Sequence, residues 1–480
     1  MAKKLTAFLF LTCFIFISAC SQGPQLLDFL NNGDTSESLG GITLYFKASL
    51  GPEDATKPLP TDTYLGYLTN TNFADMAKAR VDQVEKDLDV NIELSKEISS
   101  DETFFDGVIY LLATGGGKLD VNIGMGYEDF SMSSLKDALV PMSEVSDYID
   151  IYDSAKWGAP ERLEMFAWDG EIYGVIPNYW PELQFASSDF ILVPNINYIK
   201  SIGQEDPRDY FENGVWTLDK LEELIPIYAR PSSNADEVVY GYSANERHLY
   251  ELLVQYYGAD WAQKDANGAW EAGALSVEGR QAAQKLRDYW AGDLSEMIYF
   301  ASVGDQEALW VKNQVAISTM HVATLTNAAN KTVSVGYEYG VLPFPSQDGK
   351  SIFGQFERNV EAIFITSFSN YPDAAAKVVS AIYEPFEGYE DMDALREVYN
   401  SSIFFDERDT EIVFKLTESL RVLPQEPRSS EVNYAIAEAL EYSEVSSVLD
   451  MYATQINTLL EEEFIPVKET MEKLFPGYND

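Results

Sequence analysis

Apolar and polar residues alternate through Ile42-Thr43-Leu44-Tyr45-Phe46, the two-residue period of a β-strand. Phe73, Ala77, Val81, Val84 and Leu88 then recur at steps of three and four, which predicts a helix capped by Asn72. Val90, Ile92 and Leu94 alternate directly behind it. A further helix is predicted through Leu111 and Leu112 up to Gly115-Gly116-Gly117, after which Leu119, Val121 and Ile123 alternate again. Strand and helix taking turns in this order predict an α/β layer around a mostly parallel sheet.

A second region carries more helix. Thr217 is placed to cap a helix with Leu218, Leu221, Leu224, Ile225 and Tyr228 on one face, and Asp219 in its first turn suits the helix dipole. Val277 to Trp290 predicts another helix, while Val315-Ala316-Ile317 and Tyr339-Gly340-Val341-Leu342 predict short strands. Asp265-Ala266-Asn267-Gly268 begins like a calcium loop but lacks the remaining acidic positions, so it reads as a turn.

The N-terminus bears on the compartment. Lys3 and Lys4 precede an apolar run, Leu5 to Ile17, that is too short to span a bilayer and has the size of a signal-peptide core. Ile17-Ser18-Ala19-Cys20 resembles the lipobox of bacterial lipoproteins, which implies that residues 1–19 are removed and Cys20 is lipidated. Residues 20–40 then form a flexible leash on the outer side of the cell membrane. Cys13 leaves with the signal peptide, so the mature body has no pair of thiols for a disulfide or a metal.

At 480 residues the chain has room for two or three domains. Asp and Glu total 78 against 33 Lys and Arg, a formal charge of −45 that repels phosphate backbones and anionic headgroups. Nucleic-acid binding and polybasic membrane docking are excluded on that ground.

Catalytic templates find little support. The two histidines, His248 and His321, lie far apart in sequence and lack the spacing of a zinc helix. Gly115-Gly116-Gly117-Lys118 is followed by Leu119 rather than Ser or Thr and precedes a strand, so it is a turn and not a phosphate loop. Ser133-Ser134-Leu135-Lys136 has the Ser-x-x-Lys form of penicillin-interacting enzymes, yet Lys331-Thr332 is followed by Val333 where they have glycine. With so many acids, no carboxylate pair is marked out for a glycosidase.

From Gly41 to Asp480 the order of local signals resembles the extracellular solute-binding proteins of carbohydrate ABC transporters, the group that includes maltose-binding protein. The most specific match is Trp168-Asp169-Gly170-Glu171-Ile172-Tyr173-Gly174-Val175-Ile176-Pro177, similar to the family's Gly-Lys-hydrophobic-Tyr-Gly-Val-Pro. Leu112 to Val121, Asn213 to Leu221, Gly258 to Trp261, Trp310 to Ile317, Tyr339 to Pro345 and Tyr371 to Ala375 follow in the family's order. One departure matters: after the strand at Val315 the family often has Gly-Gly-x-Trp, where this chain has Ser318-Thr319-Met320-His321.

The resemblance implies an α/β, two-lobed periplasmic-binding-protein-like fold of type II, with hinge strands and a ligand cleft between the lobes. Lobe 1 is expected over 41–188 plus 356–405, and lobe 2 over 189–355 plus 406–480. Family position then selects Tyr127, Asp129, Tyr179, Trp180, Met320, His321, Glu357, Arg358 and Asn359 as ligand-lining residues. The implied role is a monomeric carrier without catalysis, metal or cofactor that hands a sugar or oligosaccharide to an ABC permease. A peptide or other polar solute as ligand, an exported glycosidase and a surface adhesion module remain open alternatives.

Overall fold

The computed structural model describes residues 38–48, 63–65, 67–68, 72–95, 118–123, 132–178, 180, 190–322, 325, 336–355, 362–402, 404, 406–418, 420–421 and 427–478. The chain opens with β1 (Ile42–Ala48), α1 (Asn72–Leu88), β2 (Val90–Ser95) and β3 (Val121–Ile123). Helix α1 buries Phe73, Ala77, Val81, Val84 and Leu88, the stripe that the periodicity marks, and Asn72 is its first residue. Strand β1 pairs in parallel with β2 on one side and β3 on the other. The predicted helix at Leu111 and Leu112 lies outside the described residues.

Residues 132–180 wrap this first sheet. Within them, Ala167–Trp168 and Glu171–Ile172 pair antiparallel. Asp169 and Gly170 both have positive φ, 50° and 82°, as a tight hairpin turn requires. Val175 then bridges to Ile363, so the Tyr-Gly-Val-Ile-Pro segment is fastened to the first sheet.

Lobe 2 begins with β4 (Ile191–Pro194), followed by α2 (Leu218–Tyr228), β5 (Tyr240–Ala244), α3 (Glu246–Tyr256), α4 (Val277–Ala291), β6 (Ile298–Phe300), α5 (Val303–Val311) and β7 (Val315–Met320). The strand order is β6-β5-β7-β4, with β6, β5 and β7 parallel and β4 antiparallel to β7. Thr217 caps α2 by accepting from the Lys220 amide at 3.3 Å. A methyl group on Gly241 would come 2.1 Å from the Ile225 carbonyl, so this glycine is what lets α2 lie directly on β5. Tyr339 and Leu342 form bridges to Asn195 and Leu192 and extend the sheet, as the expected short strand would. The Asp265 turn closes a hairpin, its carboxylate accepting the amides of Asn267 and Ala269 at 2.8 Å each.

The chain returns to lobe 1 as β8 (Ile363–Ile365), antiparallel to β3, and completes the order β8-β3-β1-β2. The two sheets therefore share one plan: three parallel strands plus one antiparallel edge strand that is the first to arrive from the other lobe. Helix α6 (Pro372–Ile382) packs on α1, and α7 (Met392–Ser402) on α8 (Glu407–Glu418). Helices α9 (Pro427–Tyr442) and α10 (Val445–Leu459) cover α3 and α4 and join their apolar core.

The last helix departs from the expected division. α11 (Ile465–Leu474) follows α10 through a π-turn at Leu460–Phe464 and lies against Pro160–Phe166 and Ala167–Trp168 of lobe 1. Its Met471 is fully buried in the first lobe's core. The segment expected in lobe 2, 406–480, therefore ends in a helix that meets both lobes, with Lys468 on Asp260 and Glu472 on Lys264 toward lobe 2.

Candidate functional site

In both sheets the antiparallel strand starts where its neighbour ends: Ile191 pairs beside Met320, and Ile363 beside Ile123. Each antiparallel strand therefore begins at the carboxyl-end edge of the parallel strands in its sheet. Such edges, with helix N-termini pointing at them, are where open α/β sheets hold ligands.

The lobe 2 edge carries a defined cluster. Asn245, directly after β5, caps α3 by accepting the amides of Arg247 at 3.1 Å and His248 at 3.3 Å. That cap turns the first turn of α3, and with it Arg247 and His248, onto the edge. Phe190, just before β4, lies between the two imidazoles, with ring centroids 3.9 Å from His248 and 4.6 Å from His321. The imidazoles are 5.9 Å apart and nearly perpendicular. Arg247 Nη2 sits 2.7 Å from His248 Nε2. An arginine has only protons to offer, so Nε2 is the accepting nitrogen of that ring.

Below this cluster the strands are tied together by hydroxyls. Ser243 and Ser318 are 2.8 Å apart, and Tyr242 and Thr319 are 2.6 Å apart. Burial pushes the Tyr242 phenol well up from its usual range, so it stays protonated and available for that bond. The floor is rigid, while His321 and Arg247 keep part of their surface open. Phe190 and His248 are themselves buried, 1% and 5% exposed, so the groups this edge offers to a polar solute are Arg247 and His321, held in place by the two rings beneath them. Among the described residues no group of three or more His, Cys, Asp and Glu is placed to hold a metal ion.

The expected site residues divide three ways. His321 reaches the edge. Met320, next to it, is the last residue of β7 and is fully buried in register with Ile191, so it packs and offers nothing to a ligand. Trp180 is also fully buried, inside lobe 1 rather than at a ligand surface. Its ring packs on Tyr67, Tyr383 and Phe386, and its indole N–H donates to the Glu384 carbonyl at 3.3 Å. Tyr127, Asp129, Tyr179, Glu357, Arg358 and Asn359, together with Cys20, lie outside the described residues.

Arg247, with the buried Phe190 and His248 that support this edge, is what sequence reasoning missed. A signal for them existed: Asn245 follows a strand and precedes a helix, which places residues 245–248 at a strand end and a helix N-terminus at once. The convergence of His248 and His321 needed the parallel pairing of β5 with β7, which no local pattern reveals.

No family model matches the sequence, and no curated protein matches it. Solved structures do. The chain is similar to the cyclic α-maltosyl-1,6-maltose binding protein of Arthrobacter globiformis, with 16% identity, 88% of this chain and 100% of that one covered, and a TM-score of 0.61. It is similar to an ABC substrate-binding protein of Listeria monocytogenes solved in complex with cycloalternan, with 15% identity, 88% and 99% coverage and a TM-score of 0.59. It is also similar to the sugar-binding protein MalE of Xanthomonas citri, with 12% identity, 88% and 98% coverage and a TM-score of 0.59. The chain has the two-lobed α/β fold of these ABC solute-binding proteins.

Proposed function

We propose that this chain captures a sugar or oligosaccharide between its lobes and delivers it to the permease of an ABC importer, without catalysing a reaction itself. The observation that carries this is the fold likeness, over 88% of this chain, to sugar-binding carriers. On this reading Arg247 and His321, packed over the buried Phe190 and His248, form the lobe 2 half of the site. The segments bearing Tyr127, Asp129, Tyr179, Glu357, Arg358 and Asn359 supply the other half. Closure of the lobes over the ligand is the signal that the permease reads. Lipidated Cys20 tethers the monomer to the outer face of the cell membrane.

A thermal-shift screen of residues 21–480 tests this with cycloalternan, maltotetraose and simple sugars, set beside peptides and amino acids. A ligand at a hundred times its dissociation constant stabilises the fold by about 2.7 kcal/mol, a clear rise in melting temperature. The expected result is a saturable sugar hit with no product formed. A peptide hit with silence across the sugars overturns the ligand class, and release of product overturns the carrier role. For the sugar found, His321→Ala should weaken binding by about tenfold or more, or roughly 1.4 kcal/mol. The melting temperature of the free protein should hardly move, because His321 is partly exposed at the end of its strand. Unchanged affinity in calorimetry would remove His321 from the site.

A further inference from the structure

Beyond the cleft, one nearly buried lysine touches both lobes. Lys468 Nζ lies 3.0 Å from Glu164 of lobe 1 and 3.0 Å from Asp260 of lobe 2. Lys468 is 4% exposed and Glu164 1% exposed. Tyr478, near the C-terminus, donates its hydroxyl to the other oxygen of Glu164. Asp260 is fixed by the Trp261 amide at 2.7 Å, and its own amide donates to Gln263 at 3.0 Å. The site is built on both sides.

The helix that carries Lys468 spans the lobes. Residues 445–474 run without interruption as α10, the π-turn and α11; Val448, Leu449 and Ile456 are in the second lobe's core, and Met471 is in the first's. On lobe 1, the Gly170 amide donates to Thr470 at 2.9 Å and Lys473 donates to the Gly170 carbonyl at 3.2 Å. Toward lobe 2, Lys264 donates to Glu472 at 2.5 Å. Helices bend at π-turns, and this one, whose Leu460 and Phe464 still pack in the second lobe's core, directly precedes the half that docks on lobe 1, with Pro466 in that half's first turn.

We infer that Lys468 is a positioning residue that sets the resting angle between the lobes, with the helix from Val445 to Leu474 as a strap that bends at its π-turn. Its ammonium is the common counter-ion of two carboxylates, one from each lobe. Burial alone would lower the lysine's pKa, but Glu164 and Asp260 more than offset that and keep it protonated. Without the cation, Glu164 is left buried with no counter-ion and the tie that joins it to Asp260 across the junction is gone, so the lobes part there.

The test reads geometry in the ligand-free protein, so it does not depend on what the cleft binds. The mature chain carrying Cys20→Ser has no other thiol. Spin labels at Asp147→Cys in lobe 1 and Gln281→Cys in lobe 2, both exposed, report the interlobe distance by pulsed electron resonance. Lys468→Met should lengthen the mean distance by more than about 2 Å, the scale of a domain rearrangement, and broaden its distribution. Asp260→Asn, which cuts only the lobe 2 half and leaves the Lys468–Glu164 pair, should give a smaller shift of the same sign. A lower melting temperature with an unchanged distance would make Lys468 a stabilising contact only and overturn the inference. Should Lys468→Met fail to fold, an unchanged distance in Asp260→Asn overturns it equally.

Discussion

Replacing Trp180 by alanine should lower the free energy of unfolding by about 3–5 kcal/mol, the usual cost of emptying a large aromatic's place in a packed core. The site cannot easily collapse. Tyr67 stacks on the indole at 5.7 Å and 18°, Phe386 at 4.7 Å and 28°, and Tyr383 packs at 4.5 Å and 40°. Each ring is held from its far side as well. Tyr67 meets Phe73 of α1 at 5.6 Å, and the Arg80 guanidinium lies 5.6 Å over Phe386 while donating to the carbonyls of Glu384 and Pro385 at 2.7 Å each.

The indole thus ties a short hairpin, a helix and the turn after α6 into one cluster. Trp180→Phe should recover much of the loss, since it keeps an aromatic ring and gives up only the bond to Glu384. Ligand affinity should be nearly the same in Trp180→Phe as in the parent. Chemical denaturation and calorimetry on the same variants separate the two roles. Full stability with lost affinity would return Trp180 to the cleft.

Trp180 also shows where the sequence stops being informative. A tryptophan three residues past a Gly-Val-Ile-Pro segment is equally consistent with stacking on a ligand or on Tyr67, because both call for a flat apolar face. What decided it was the Val175 bridge to Ile363, which keeps the segment over lobe 1. Local patterns did better. The stripe of α1, the Thr217 cap, the helix from Val277 and the strand at Val315 are dictated by near neighbours, and all four are present. The docking of α11 depends on Glu164, some three hundred positions away, which no period encodes. That His321 directly follows a strand could be read locally. Its partners could not, because β5 and β7 are brought together by pairing that spans four intervening elements, α3, α4, β6 and α5.

The second large effect concerns charge. Arg208→Met should cost about 3–5 kcal/mol of stability, because it strips the counter-ion from carboxylates that remain buried. The Arg208 side chain is 1% exposed, and that of Asp409 is fully buried. Nη1 bonds both Asp409 oxygens at 3.1 and 3.0 Å, while Nε and Nη2 grip Asp206 at 3.0 and 2.6 Å. Asp409 also accepts the Val341 amide at 2.7 Å, so one guanidinium fastens the start of α8 to the rim of the second sheet. Arg408 lies beside it, 2.8 Å from Asp406 and 3.0 Å from Asp209, but is itself too exposed and too engaged to take over.

The cost should depend on pH with a definite sign. Burial opposes ionisation of Asp206, but the Arg208 bonds outweigh it and hold its carboxyl below the ordinary range. In the parent this contribution is complete above the unfolded value of about 3.9 and fades as pH falls through the depressed folded one. In Arg208→Met Asp206, buried without a cation, takes up its proton more readily than in the unfolded chain, as Asp409 already does in the parent, where burial outweighs Arg208 and pushes it up to about 6. The variant therefore regains stability as pH falls toward about 4, and the gap between the two proteins narrows. Adding Asp409→Asn should restore part of the loss at neutral pH, as expected when two residues share one interaction. Urea unfolding of parent, single and double variants at neutral and acid pH measures all of this, and a gap that stays constant with pH would mean that Arg208 acts through packing rather than charge.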